Sequence, residues 1–234
     1  MKAHVRTGLG KSLLVLTIVA VVIVGGVIGQ FLYLPARTSP PTINLNSSAY
    51  VGSHSGLRLY LTLDSPFIKN GSNIVVRVYE NNTLDRPNNV SVSDNWATTN
   101  HSFSGCHNYL PIGLAVLRGN HTVGDLPKSV AADQLQGEKP GDVYACGPIP
   151  DFRSYEFRPL SYSARICDPK LYAANGPWCQ DREVSRLLLV GGYWTGDGNR
   201  IPAVYHWFEP GIYTVTGEDE WGRVALLHFV VSAR

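Results

Sequence analysis

The sequence predicts an all-β body held outside a membrane by one N-terminal transmembrane helix. Three observations predict it. An uncharged apolar run fills residues 12–36, period-two alternation of apolar side chains recurs through the rest, and that rest carries four cysteines and six Asn-X-Ser/Thr sequons.

The apolar run comes first. Between Ser12 and Ala36 there is no Asp, Glu, Lys, Arg or His. A bilayer-crossing helix needs about 20 apolar residues at about 1.5 Å each, and Leu13 to Leu34 supplies that length. Lys2, Arg6 and Lys11 precede the run and only Arg37 follows it closely, so the positive-inside bias places the N-terminus in the cytoplasm. Phe31 and Tyr33 then fall at the outer interface. A cleaved secretory signal is the competing reading, with Val27-Ile28-Gly29 as its small-residue site. Signal apolar regions run about 7–15 residues, and this one continues through Phe31 to Leu34. The expected organisation is a cytoplasmic stub (1–11), a membrane helix (12–34) contacting the lipid bilayer, a stalk (35–56) and an extracytoplasmic body (57–234). The Pro, Ser, Thr and Asn content of residues 35–56 suggests the stalk.

Charge narrows the function. Without Lys2, Arg6 and Lys11, 17 Lys and Arg face 18 Asp and Glu. A nucleic-acid binder needs a basic stripe, and the body shows none. Cysteines in an exported domain form disulfides because that compartment is oxidising. Four cysteines allow three connectivities. The favoured one is Cys106–Cys146 with Cys167–Cys179, since the second pair closes a short local loop. The sequons at Asn46, Asn70, Asn81, Asn89, Asn100 and Asn120 all fall in the first part of the body and suggest a glycosylated face.

Strand signals begin at Leu57, where Leu57, Leu59, Leu61 and Leu63 alternate with Arg58, Tyr60 and Thr62. After the Asn70-Gly71 turn, Ile74, Val76 and Val78 repeat the pattern. Both read as strands with one wet face, on which Tyr60 points outward. Ile112 to Leu117 predicts a buried strand, and Tyr155 to Tyr162 and Val184 to Val190 predict two more. Long Gly, Pro, Asn and Asp stretches between them hold the cysteines; loops of that length call for staples. Ser129 to Leu135 is the best short helical candidate. At the end, Ile212 to Thr216 and Arg223 to Ser232 form a hairpin, with Ala225, Leu227, Phe229 and Val231 on one face.

Glu209-Pro210-Gly211-Ile212-Tyr213-Thr214-Val215 resembles the D-x-G-x-Y-x-C run of immunoglobulin-like domains. The resemblance implies an Ig-like β-sandwich with long disulfide-stapled insertions. It also implies a tyrosine corner, in which the Tyr213 hydroxyl bonds back to upstream backbone. Val215 stands where the second cysteine would be, so no inter-sheet disulfide is implied. More broadly, the chain is similar to uncharacterised archaeal membrane-anchored surface proteins. Asp94-Asn95-Trp96, Pro111 to Val116, Gly192-Tyr193-Trp194 and Asp219-Glu220-Trp221-Gly222 leading to His228-Phe229 carry that likeness. It implies an architecture and no activity.

The chemistry-bearing residues form no catalytic pattern. His101, Cys106, His107 and His121 lie close in sequence, but the only methionine is Met1 and a disulfide-bonded cysteine is no thiolate ligand. No metal and no cofactor are expected. Gly52-Ser53-His54-Ser55-Gly56 places His where a nucleophile elbow needs Ser and reads as linker. Asp142, Asp151, Glu156, Asp168, Asp181 and Glu183 are scattered, without the facing pair a glycosidase needs. Trp194, Trp207 and Trp221 are expected to fill the sandwich ends; Trp96 and Trp178 are the candidates for exposed contacts. The function this supports is a structural or adhesive cell-surface module that contacts envelope protein or glycan, without catalysis. An accessory subunit of a membrane complex is the alternative, and an extracytoplasmic enzyme ranks third.

Overall fold

The computed structural model describes residues 43–97, 110–126, 153–171, 173–195 and 202–233. The predicted stub and membrane span, Asn100, His101, Cys106, His107, Cys146 and the helical candidate Ser129 to Leu135 lie outside them. Among the described residues no helix is long and apolar enough to cross a membrane. Residues from Ile43 onward form one compact unit, and it is all-β.

The first strands are β1 (Ser48–His54), β2 (Leu57–Leu63), β3 (Phe67–Lys69), β4 (Ile74–Asn82), β5 (Asn88–Ser91) and β6 (Ile112–Arg118). The middle supplies β7 (Ser154–Phe157), β8 (Ser163–Asp168), a 3-10 turn (Ala173–Asn175), β9 (Trp178–Glu183) and β10 (Ser185–Val190). The last are β11 (Gly192–Thr195), β12 (Val204–Trp207), β13 (Gly211–Asp219) and β14 (Val224–Ser232). They make three four-stranded sheets, ordered β1-β2-β4-β10, β3-β14-β13-β6 and β5-β7-β8-β9, and a β11-β12 ribbon.

The first two sheets pack on each other, with β13 against β2 and β4, β14 against β1 and β2, and β6 against β4 and β10. Period-two alternation dictates this packing. Leu57, Leu59, Leu61 and Leu63 on β2 and Ile74, Val76 and Val78 on β4 are buried, as expected. They face Val215 on β13 and Ala225, Leu227, Phe229 and Val231 on β14 in one core. A Cβ at Gly217 would approach Val78 Cγ2 to 2.7 Å, so glycine permits this close sheet-to-sheet contact. β3 crosses from beside β2 to pair in parallel with the final strand β14; every other strand pair is antiparallel. Val90, Tyr155, Phe157, Ala164 and Ile166 of the third sheet join the same core.

Two expectations change. The stretch read as stalk contains β1, which hairpins onto β2 through Ser55 and Gly56 at φ 49° and 83°. That is the left-handed geometry a two-residue hairpin favours. Ser, Gly and His give β1 no apolar period, so it is invisible as a strand until β2 supplies its partner. The chain is fixed earlier still. The Asn44 amide N–H donates to His228 Nδ1 at 2.9 Å, its side chain donates to the Leu226 carbonyl, and the His228 amide donates to the Asn44 carbonyl at 2.8 Å. Tyr155 to Tyr162 is also shorter than expected, ending as strand at Phe157; Leu160 takes φ 47°, a turn conformation.

Cys167 and Cys179 face each other in register on β8 and β9 and form a disulfide. The proposed Cys106–Cys146 partner bond lies outside the described residues. Closing a 12-residue separation limits the unfolded chain, so Cys167→Ser with Cys179→Ser should cost about 2–3 kcal/mol in urea melts. Unchanged melts would show that the bond adds nothing to the β8-β9 pairing.

Candidate functional site

Because β2 and β4 turn their leucines, isoleucine and valines inward, their intervening residues build an outer face. Tyr50, Tyr60 and Tyr79 stand in register across β1, β2 and β4. Ring centroids are 6.0 Å apart for the first pair and 5.0 Å for the second, the latter nearly parallel. Tyr162 extends the row, 5.8 Å from Tyr79. The Arg58 guanidinium lies 5.2 Å from the Tyr50 ring, and Arg77 lies 5.2 Å from Tyr79 and 4.8 Å from Tyr162. Such cation–ring contacts orient each guanidinium without neutralising it. Leu187, 65% exposed, pairs with Arg77 from β10, and Tyr50 is 66% exposed. The outward positions of β2 and β4 are Arg58, Tyr60, Thr62, Val75, Arg77, Tyr79 and Asn81, with no acidic residue. The result is a flat aromatic and cationic surface, suited to stacking on rings and holding anionic groups.

The inward side of the same strand holds a different cluster. Continuing the parity of Ile74, Val76 and Val78 carries Glu80 into the interior, and the parity of Val215 and Gly217 does the same for Asp219. Arg223 meets both: its Nη2 lies 3.0 Å from Glu80 Oε2 and 2.5 Å from Asp219 Oδ2. Its Nη1 donates to the carbonyls of Gly52 and Leu57 at 2.6 and 2.7 Å. Asp219 Oδ1 accepts the amides of Trp221 and Arg223, both at 3.0 Å, closing the β13-β14 turn. One guanidinium thus ties the β13-β14 turn to the β1-β2 hairpin. Burial pushes the Glu80 carboxyl well above its usual range; Arg223 opposes that push and Asp219 adds to it.

Glu220 extends the network, accepting from the Ser93 amide and the Tyr155 hydroxyl, each at 3.0 Å. Burial pushes its carboxyl up to about 7, opposed by those two hydrogen bonds. Burial, then the Glu220 charge, raises the Tyr155 hydroxyl. Trp221 donates its indole N–H to the Ser91 carbonyl and stacks on His54 at 5.4 Å. Glu80 and Asp219 converge on one guanidinium, and Glu220 beside them is held by a backbone amide and a tyrosine; all three are buried. That is the arrangement of a structural lock.

The remaining expected site residues scatter. Tyr213 is buried and donates its hydroxyl to the Glu209 carbonyl at 2.9 Å, the bond expected of a corner. Asn46 and Asn89 are exposed, while Asn70, Asn81 and Asn120 are half-buried; Asn81 lies on β4 and Asn89 on β5. His121 bonds the Arg118 carbonyl through Nε2, and among the described residues no group of His, Cys, Asp or Glu is arranged to hold a metal. Asp168 accepts the amides of Lys170 and Leu171, and Asp181 pairs with Arg158. Trp207, expected in the core, is 58% exposed on β12, whereas Trp96 and Trp178 are half-buried. The reversal follows from the ribbon: Trp207 pairs with Gly192 on a two-stranded element, and among the described residues no third strand pairs with it.

No family model, no curated protein and no solved structure matches the chain. The class is therefore defined by its own geometry: an all-β, disulfide-bonded unit of two packed sheets with a third alongside.

Proposed function

We propose that the chain is a membrane-anchored cell-surface module of immunoglobulin-like architecture, structural or adhesive in role and without catalysis. Connectivity supports the architecture. β2, β4 and β10 follow the order of strands A, B and E, and β6, β13 and β14 that of C, F and G, with the tyrosine corner at the start of the F equivalent. The outer edge of β10 differs, since no D-like strand pairs there among the described residues. The uncharged run at residues 12–34 supports the anchor and an extracytoplasmic body.

The observation that carries the adhesive role is the Tyr50-Tyr60-Tyr79 row with Arg58 and Arg77 over its rings. Tyr and Arg are enriched among the residues that dominate contact energetics, Tyr because it offers large area with few rotors and Arg because its planar fork directs several donors. An acidic glycan or acidic protein of the envelope suits this face. In a sedimentation assay on isolated cell envelope, Tyr50→Ala combined with Arg77→Ala should weaken binding at least about 30-fold, the factor that a 2 kcal/mol contact residue implies. Binding equal to the unaltered chain would remove this face from the role. A C-terminal reporter active only in the cytoplasm would overturn the topology.

A further inference from the structure

The Tyr-Arg face carries its own attachment point for a sugar chain. Asn81 begins the sequon Asn81-Asn82-Thr83 and stands on β4 with the outward parity of Arg77 and Tyr79. Across the ladder it pairs with Arg58 on β2, as Tyr79 pairs with Tyr60. Two residues of strand rise, about 7 Å, separate Asn81 from Tyr79, and residues directly opposite each other lie about 5 Å apart. The sequon is therefore rooted beside Arg58 and the stacked Tyr60-Tyr79 pair. The Asn81 side-chain amide has no hydrogen-bond partner among the described residues, and the residue is half-buried rather than enclosed. No contact of the fold has to break for its nitrogen to carry a substituent.

Position decides what such a substituent does. A partner that uses this face has to reach the rings and both guanidiniums with water excluded around them. An N-linked glycan is bulky and hydrated, and from Asn81 its first sugars lie across that approach. Pushing the chain aside orders its flexible linkages, which costs the partner binding free energy. The chemistry needs a donor from outside this chain, an oligosaccharide held on a lipid carrier through phosphate. Asn81 Nδ2 bonds the anomeric carbon, the carbon–oxygen bond to phosphate breaks, the carrier leaves with that electron pair, and the amide gives up one proton.

We propose that Asn81 carries an N-linked glycan that masks the Tyr50-Tyr60-Tyr79 row, so that occupancy of this one sequon sets how much of the adhesive face is open. This rests on the extracytoplasmic, adhesive reading above. The full chain is isolated from its own membranes, Asn81 is read by peptide mass spectrometry, and sedimentation on isolated cell envelope is repeated with Asn81→Gln. Glutamine removes the sequon and leaves the Thr83 hydroxyl bonded to the Gly56 carbonyl at 2.8 Å. Asn81 should be glycosylated, and Asn81→Gln should bind about 10-fold or more tightly, the factor that ordering one or two flexible groups implies. Adding Tyr50→Ala and Arg77→Ala should abolish that gain, whereas Asn89→Gln, on β5 of the third sheet, should produce none. An unmodified Asn81 overturns the proposal and leaves the adhesive reading standing. So does a glycosylated Asn81 whose replacement leaves binding unchanged or weaker. A gain that survives Tyr50→Ala with Arg77→Ala places the masked surface elsewhere and also overturns the proposal. If that double change costs nothing with or without the glycan, the adhesive reading falls and the masking falls with it.

Discussion

Arg223→Met is expected to lower the unfolding free energy at neutral pH by about 3–5 kcal/mol, the range for removing one partner of a buried ion pair. The change leaves Glu80 and Asp219 buried without their cation and strips the Gly52 and Leu57 carbonyls of a donor. Burial already favours the protonated form of Glu80. A carboxyl whose folded pKa is raised binds its proton more tightly in the native state, so its contribution is full below the unfolded value and fades as pH rises through the folded one. Glu220 behaves alike, with the fade extending to about 7. Urea melts of Arg223→Met should therefore show a larger deficit at pH 8 than at pH 4.5. Glu80→Gln, which imitates the protonated carboxyl, should be far milder and should recover part of the loss when combined with Arg223→Met. A deficit below about 1 kcal/mol at pH 8 would mean that water reaches the cluster and the lock is not one.

The elements legible in the sequence were those whose apolar residues kept strict parity. β2, β4 and the β13-β14 hairpin sit where Leu57 to Leu63, Ile74 to Val78 and Ala225 to Val231 place them. β6 was legible for another reason: a short, nearly continuous apolar run reads as a strand buried on both faces. β1, β3, β5 and β9 carry Ser, Gly, Asn, Lys or Gln at facing positions, and only pairing with a neighbour reveals them. The charge cluster was within reach of the same parity argument. Extending alternation from Val78 to Glu80 and from Val215 to Asp219 puts two carboxylates inside, and a buried pair of that kind calls for a cation such as Arg223. The Tyr-Arg face needed register, because residues 50, 60 and 79 become neighbours only once the hairpin and the β2-β4 pairing are fixed. Trp207 failed for the opposite reason: tryptophan's usual burial is a property of packed layers, and among the described residues no third strand pairs with its two-stranded ribbon.

Tyr213→Ala is expected to cost about 3–5 kcal/mol, as other buried aromatic truncations do. Tyr213 is fully buried, stacked on Phe229 with centroids 5.0 Å apart and met edge-on by Phe208 at the same distance. Deleting the ring opens a cavity between Phe208 and Phe229, and Phe229 is held in the β14 ladder and cannot swing in to fill it. Tyr213→Phe keeps the ring and removes only the bond to the Glu209 carbonyl, a change of about 1 kcal/mol. The two variants thus separate packing from the corner itself. Tyr60 is the internal control: it stacks on Tyr79 at 5.0 Å but on the half-exposed outer face, so Tyr60→Ala loses contact area without creating a sealed void. Urea melts should rank Tyr213→Ala well below Tyr60→Ala, with Tyr213→Phe near the unaltered chain. If Tyr213→Ala proved no worse than Tyr60→Ala, the corner would not be holding the start of β13, and the immunoglobulin-like reading would lose its best local support.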